Sequence, residues 1–211
     1  MKTLALAIGL SFFTMAASAQ MSVIPKAGLA ITSADVDPEI GSQHSRESFF
    51  FGLGVEAKVT PLFSIQPELL YLQKGVDWDV LIAESSRRIH YIELPVMLKV
   101  NLPLSDFLLI YLNAGPSFGL ALSGEDKGSA FGFSGSTDLK FGSADDEFKS
   151  TDVGLQVGAG IGYTLGTGNL LLDFRYGHGL TNLRNNDAVF KNRTVAVSVG
   201  YAFPIGVVGA N

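Results

Sequence analysis

The sequence predicts an all-β fold: an eight-stranded antiparallel up-and-down transmembrane β-barrel with short periplasmic turns and long extracellular loops. Three observations predict it. Apolar residues recur at every second position in eight segments. Most of these segments run about 10–13 residues, near the ~9–11 needed to span a bilayer as a tilted strand and well above the ~5–6 of an ordinary strand. The connections alternate between short and long, the outer-membrane pattern.

The segments follow in order. Val23 to Thr32 sets Ala27, Leu29 and Ile31 against Lys26, Gly28 and Ala30. Phe49 to Val59 places an apolar residue at every odd position, against Gly52, Gly54, Glu56 and Lys58. Ile65, Pro67, Leu69 and Tyr71 oppose Ser64, Gln66, Glu68 and Lys74. His90, Ile92, Leu94, Val96 and Leu98 oppose Tyr91, Glu93, Pro95, Met97 and Lys99. Leu108 to Leu120 and Val153 to Tyr163 repeat the scheme, with Asn113, Gly115 and Ser117 in one and four glycines with Gln156 in the other. Leu170, Leu172, Phe174 and Tyr176 oppose Asp173 and Arg175, and Val195 to Phe203 closes the series. The short connections are Thr60–Leu62, Asn101–Asp106 and Thr164–Asn169; the long ones are Ser33–Ser48, Gly75–Arg88, Ser123–Ser150 and Gly179–Asn192. Phe131–Phe133 and Asp138–Phe141 are too short to cross a bilayer and read as a rim hairpin.

Composition narrows the class. The 211 residues are 47% hydrophobic and 17% charged, with 24 glycines, 8 prolines and no cysteine, which excludes disorder, disulfides, thiolate metal sites and a lipid-anchored cysteine. A net charge of −5 without a basic run excludes nucleic acid as a partner. Residues 1–19 read as a signal peptide: Lys2 is the positive region, Leu4–Met15 the apolar stretch, and Ala17-Ser18-Ala19 the cleavage site, leaving 20–211 as the barrel domain. Beyond it no apolar run reaches the ~18 residues of a membrane helix. A soluble two-sheet sandwich is the structural rival, because alternation alone does not say which way the apolar face points.

The barrel reading assigns each face a role. Outward Phe63, Tyr163, Tyr201 and Phe203 fall near the short-turn rim, and Phe49, Phe51, Tyr71, Phe118 and Tyr176 near the other, forming two aromatic girdles. The inward charges are Lys26, Glu56, Lys58, Glu68, Lys74, Glu93, Lys99, Asp173 and Arg175. An eight-stranded interior is just wide enough to be filled by side chains, so these charges must pair into a plug, with the Lys58–Glu68 and Glu93–Lys99 neighbourhoods as members. The inward glycines make room for long side chains such as Arg175 or let the sheet curve.

Several segments resemble the PorT-like outer-membrane β-barrel family. They are Pro67-Glu68-Leu69-Leu70-Tyr71-Leu72-Gln73-Lys74-Gly75 and Tyr91-Ile92-Glu93-Leu94-Pro95-Val96-Met97-Leu98-Lys99, supported by Asn113-Ala114-Gly115-Pro116-Ser117-Phe118, the stretch from Asp152 to Gly160, Asp173-Phe174-Arg175-Tyr176 and Lys191-Asn192-Arg193-Thr194. The resemblance spans nearly all of the chain after the leader and implies a small barrel in a Gram-negative outer membrane. One member is associated with protein secretion. The tail Pro204 to Asn211 departs from a family pattern that often ends on the terminal aromatic.

The functional expectation is a non-enzymatic outer-membrane protein with a polar, mostly closed lumen and no cofactor. It acts through its loops, in envelope structure, adhesion or a secretion complex. Its expected partners are outer-membrane lipid and lipopolysaccharide, the barrel-assembly machinery, and a protein at the extracellular loops. A small pore is the alternative. A lipid-active enzyme is the weaker one, since no outward serine stands beside His90 or His178. Paired acids such as Glu56 and Glu68 are better explained as ion pairs than as a hydrolase site. Gly158-Ala159-Gly160-Ile161-Gly162 lies within a strand and lacks the helix that a nucleotide loop requires. Glu125-Asp126 and Asp145-Asp146-Glu147 make the third loop acidic, a candidate cation seat for which a solvated loop is the simpler reading.

Overall fold

The computed structural model describes residues 20–37, 42–80, 83–130, 133–144, 147–185 and 188–205. Residues 1–19, expected to be a signal peptide, lie outside the described residues, as do Phe131, Asp145, Asp146 and the tail beyond Ile205. Among the described residues there are nine strands: β1 Met21–Asp37, β2 Ser42–Lys58, β3 Phe63–Val80, β4 Ala83–Pro103, β5 Leu108–Ala130, β6 Phe133–Asp138, β7 Thr151–Leu165, β8 Gly168–Gly179 and β9 Val189–Ile205. All pairings between them are antiparallel.

Eight of the strands close a ring in the order β1-β2-β3-β4-β5-β7-β8-β9, and β9 returns to β1. The ninth, β6, pairs only with the far end of β5, from Glu125 to Ala130. A ladder followed from Gly162 passes through Leu171, Gly200, Lys26, Gly52, Leu70, Glu93 and Gly119 and arrives back on β7 at Asp152, ten residues displaced. That stagger is what tilts the strands of a closed barrel. The same ladder sets Gly162, Gly200, Gly52 and Gly119 among large side chains, so the ring is narrow without being overfilled.

The two faces point as a barrel requires. Leu53, Val157 and Val199 are each more than half exposed, whereas Glu68 and Lys99 are 2% exposed. The two-sheet sandwich with a shared apolar core is thereby overturned. The girdle residues Phe49, Phe51, Phe63, Phe118, Tyr163 and Phe203 are exposed on the outer face; Tyr71, Tyr176 and Tyr201 are half-buried there, each with its hydroxyl in a hydrogen bond. Phe107, stacked edge-on against Tyr163 at 5.9 Å, extends the short-turn girdle.

Local chemistry explains the tight turns. Thr60 Oγ1 accepts from Leu62 N and Phe63 N, and Ser105 Oγ accepts from Leu108 N, so both turns satisfy their own backbone. The β7–β8 turn depends on Gly166, whose φ of 64° is left-handed and suits a residue without a Cβ.

The connections expected to be long loops are mostly strand. Ser33–Asp37 continues β1, Ser42–Ser48 opens β2, and the β3–β4 ladder runs on to Val80↔Ala83. These arms turn a polar face outward, and their few apolar residues, such as Ala34, Val76 and Trp78, point inward, so they carry no lipid-facing hydrophobic period although the antiparallel register persists. The rim hairpin also differs from expectation. The β4–β5 ladder carries β5 up to Ala130, and Phe133–Asp138 is the returning arm; Asp138–Phe141 instead turns back toward the barrel mouth, where Phe141 bridges Phe148. Among the described residues, 139–144 and 147–150 in the third connection and 180–185 and 188 in the fourth lie outside the strands.

The glycine row has a different beneficiary from Arg175. A Cβ at Gly160 would overlap the ring of Tyr111, the buried tyrosine on the facing strand β5. Gly160→Val therefore prevents ring closure. In detergent, the parent protein shifts its gel migration on boiling, and the variant runs at the unfolded position with or without heat.

A charged network filling the lumen

The inward positions of the ring hold five carboxylates and four cations among the described residues, in three connected tiers. Nearest the short turns, Lys99 Nζ on β4 lies 3.0 Å from Glu56 Oε2 on β2 and 4.0 Å from the centroid of the Tyr111 ring. Asn101 Nδ2 donates to Ser64 Oγ at 2.7 Å and to Glu56 Oε1 at 3.4 Å. Gln66 on β3 joins this tier to the next: its Oε1 accepts from Lys99 and its Nε2 donates to Glu68 Oε1 at 2.6 Å.

Glu68 is the centre of the middle tier. Its Oε1 accepts from Lys26 Nζ on β1 at 3.1 Å, and its two oxygens take a forked pair from Arg175 on β8 at 2.8 and 3.1 Å. β3 and β8 stand four places apart in the eight-membered ring, so this bridge crosses the full lumen. Arg175 also contacts Asp173 Oδ2 at 3.3 Å, and that oxygen accepts from Tyr111 OH and Asn113 Nδ2, each at 3.2 Å. Gln156 then links Arg175 to Glu93 in the third tier. There Lys74 Nζ lies 2.5 Å from Glu93 Oε2 and 3.1 Å from Asp152 Oδ2, and Asn192 Nδ2 donates to Asp152 Oδ2 at 2.8 Å.

The strand register makes these contacts. Each polar residue sits in phase with the inward face, and the stagger brings side chains distant in sequence to one level. The expected partners are therefore corrected. Glu68 is bound by Lys26 and Arg175 rather than Lys58, which lies exposed at the short-turn rim. Glu93 is bound by Lys74, and Lys99 by Glu56. Gln156, Tyr91 and Tyr111, on the polar face in the sequence, join the lining; Asp152 and Asn192 belong to it too and were missed. Asp152 precedes the first apolar residue of its segment, yet it is in phase with Gly154 and Gln156, which was the available signal.

Both ends of the network are covered by apolar groups. Ile24, Tyr111, Leu171 and Ala202 pack together toward the short turns. At the other end Ala34, Val76, Phe148, Leu183 and Phe190 form a cap, with Phe148 and Phe190 edge to face at 5.7 Å. Arg87 lies 4.5 Å over the Phe148 ring and is held by two hydrogen bonds to Asp126. Between the middle and third tiers remains a cavity of about 40 Å³, lined in part by Lys26, Lys74, Glu93, Asp152 and Arg175. At ~10–15 Å³ per water it has room for about three, and Asp152 Oδ1 and Arg175 Nε are buried polar atoms without a protein partner.

The other candidate groups are differently engaged. His90 Nδ1 lies 2.8 Å from Tyr71 OH on the outer face. Contrary to expectation a serine does stand beside it, because Ser123 is its cross-strand neighbour; no hydrogen bond joins them. His178 is half-buried on the outer face, and His44 pairs with Asp79 at 3.0 Å. In the acidic third connection, Asp126 is taken by Arg87 and Glu125 lies 3.3 Å from Lys127. Among the described residues no three His, Cys, Asp or Glu side chains converge to hold a metal.

Comparison with known proteins agrees with this geometry. The sequence model of the outer membrane protein beta-barrel domain matches residues 17–185. Outer membrane protein OprG from Pseudomonas aeruginosa is similar in structure, with a TM-score of 0.54 at 12% identity over 90% of this chain and 97% of that one. Ail, the attachment invasion locus protein of Yersinia pestis, aligns at a TM-score of 0.45 and 17% identity, over 87% of this chain and 99% of that one. No curated protein sequence matches.

Lys74 alone neutralises both Glu93 and Asp152, so removing it strands two buried carboxylates. Lys74→Met is expected to cost roughly 3–5 kcal/mol of stability, the range for breaking a buried ion pair. Urea unfolding in vesicles measures the loss, and adding Asp152→Asn recovers part of it.

Proposed function

The chain belongs to the outer membrane protein beta-barrel domain family, and from that premise we propose a non-enzymatic envelope protein whose lumen is closed and whose projecting hairpins carry its activity. The carrying observation is the lumen. Five carboxylates and four cations are tied across it, an apolar cluster covers each end, and about 40 Å³ is left open between them. A hydrated ion does not pass such a barrier without breaking several buried pairs.

In this reading the tight turns face the periplasm and the strand arms face outward, which is the usual asymmetry of such barrels. Residues 1–19 are the export signal, and the barrel-assembly machinery inserts the product. Membrane lipid and lipopolysaccharide surround the apolar belt. The arms support envelope structure or adhesion, or engage a protein of a secretion complex. Within the wider family, the Pro67-to-Gly75 and Tyr91-to-Lys99 segments favour the PorT-like branch.

Planar-bilayer recording tests the closed lumen. The purified protein is expected to give no stable conductance, and simultaneous removal of the cap residues Phe148 and Phe190 to alanine to give brief openings at most. A stable open state in the parent protein, graded by Glu93→Gln or Lys99→Gln, establishes the pore instead.

A further inference from the structure

Above the apolar belt, the arms of β2 to β6 form a projecting sheet with two different faces. Its inward face carries the cap, with Val76 on β3 and Arg87 on β4. Its outward face carries the intervening residues, and there the sheet curls around a cleft of about 710 Å³, within the ~300–1,000 Å³ typical of ligand sites. Three cations, Arg46, Arg88 and Lys127, outnumber the carboxylates of Asp77 and Asp79 in its lining, together with hydroxyls such as that of Ser86. Gly128 and Gly135 face each other across the β5–β6 ladder, and a Cβ at Gly135 would meet nothing within 4 Å, so the floor there is open.

The charges of this cleft are unevenly spent. Arg46 donates to Asp77 Oδ1 at 2.8 Å and to Ser86 Oγ at 2.9 Å; Asp79 is held by His44, and Lys127 lies 3.3 Å from Glu125. Arg88 has no carboxylate within ion-pair distance among the described residues. The Nε atoms of Arg46 and Arg88 are both shielded from solvent and meet no acceptor. Two guanidinium groups beside a row of hydroxyls suit an anion carried on a polyhydroxyl frame: the planar fork matches phosphate or carboxylate, and serine both donates to and accepts from sugar hydroxyls. None of the lining side chains is aromatic, so a stacked base or an apolar peptide side chain finds no seat.

We propose that this cleft binds a phosphate-bearing saccharide, and that its source is the core of lipopolysaccharide. The placement argues for that source. The cleft opens on the same outward face as the belt residues Tyr71 and Ile92 and lies farther along the same strands. A ligand in it therefore occupies the saccharide layer directly over the hydrocarbon. The proposal rests on the reading that the arms project outward from the cell.

The test uses the full barrel refolded in detergent, titrated calorimetrically with a phosphorylated core oligosaccharide released from lipopolysaccharide, its dephosphorylated form, and inorganic phosphate. Binding of the phosphorylated oligosaccharide is expected to weaken about tenfold or more on dephosphorylation and by a similar factor in Arg88→Ala, the value of a lost charge-assisted hydrogen bond, with Arg88→Lys intermediate. Arg193→Ala, which lies outside the cleft, is expected to bind as the parent does. Equal affinity for both oligosaccharides, or an unchanged Arg88→Ala, overturns the site. In vesicles containing lipopolysaccharide the free oligosaccharide is expected to be excluded, and in phosphatidylcholine vesicles it is expected to bind; undiminished binding in both overturns the membrane source. Labelling of Phe133→Cys on intact cells reports the arms' direction separately, since that position is largely exposed. Its failure rejects the outward reading without touching the titration.

Discussion

Glu68 is the point on which the interior depends. It receives Lys26 from one wall and Arg175 from the opposite wall, so a single carboxylate ties three strands that are far apart in sequence. Side chains leave only about 40 Å³ of this space open, which makes each unpaired charge costly and each well-placed pair decisive for register. A slip of one residue in any strand would turn its lumenal charges toward lipid and its leucines toward the network. The ion-paired core thus specifies the arrangement as much as it stabilises it, in a chain with no cysteine to staple it.

Two different surroundings act on the same strands. Within the belt, the outer face meets hydrocarbon and is built from Leu53, Leu112, Val157 and Val199, while the inner face is mostly polar, with Phe50, Leu70 and Leu72 packed among the charges. Above it the outward face becomes polar and the inward face carries the apolar cap, yet the hydrogen-bonded ladder continues because antiparallel pairing needs no apolar outer face. This explains what was readable in advance. Period-2 alternation located the eight crossing segments and the outward residues. It was silent about the arms, where Ser42–Ser48 and Ala83–Arg88 carry no period although they are strand.

The interior was legible by residue and not by pairing. Lys26, Glu56, Glu68, Lys74, Glu93, Lys99, Asp173 and Arg175 were identifiable because a charge in phase with the polar face has nowhere else to point; all eight are buried. Which carboxylate meets which cation depends on the stagger of the closed ring and on contacts across its diameter, and neither is written in local sequence. Lys58 shows the limit from the other side. Its phase is inward, but it stands one residue from the turn, where the lumen opens. At Gly160 the missing side chain leaves space, as the sequence suggested, and the group that uses it is Tyr111, distant in sequence but on the adjacent strand of the ring.

The cross-lumen bridge can be measured as a coupling. In a double-mutant cycle on Glu68→Gln and Arg175→Met, followed by urea unfolding in lipid vesicles, the account predicts strong non-additivity, with an interaction free energy of about 2 kcal/mol or more. Effects that add to within ~0.5 kcal/mol would mean that the two side chains do not meet across the barrel, and would contradict the network on which the closed lumen rests.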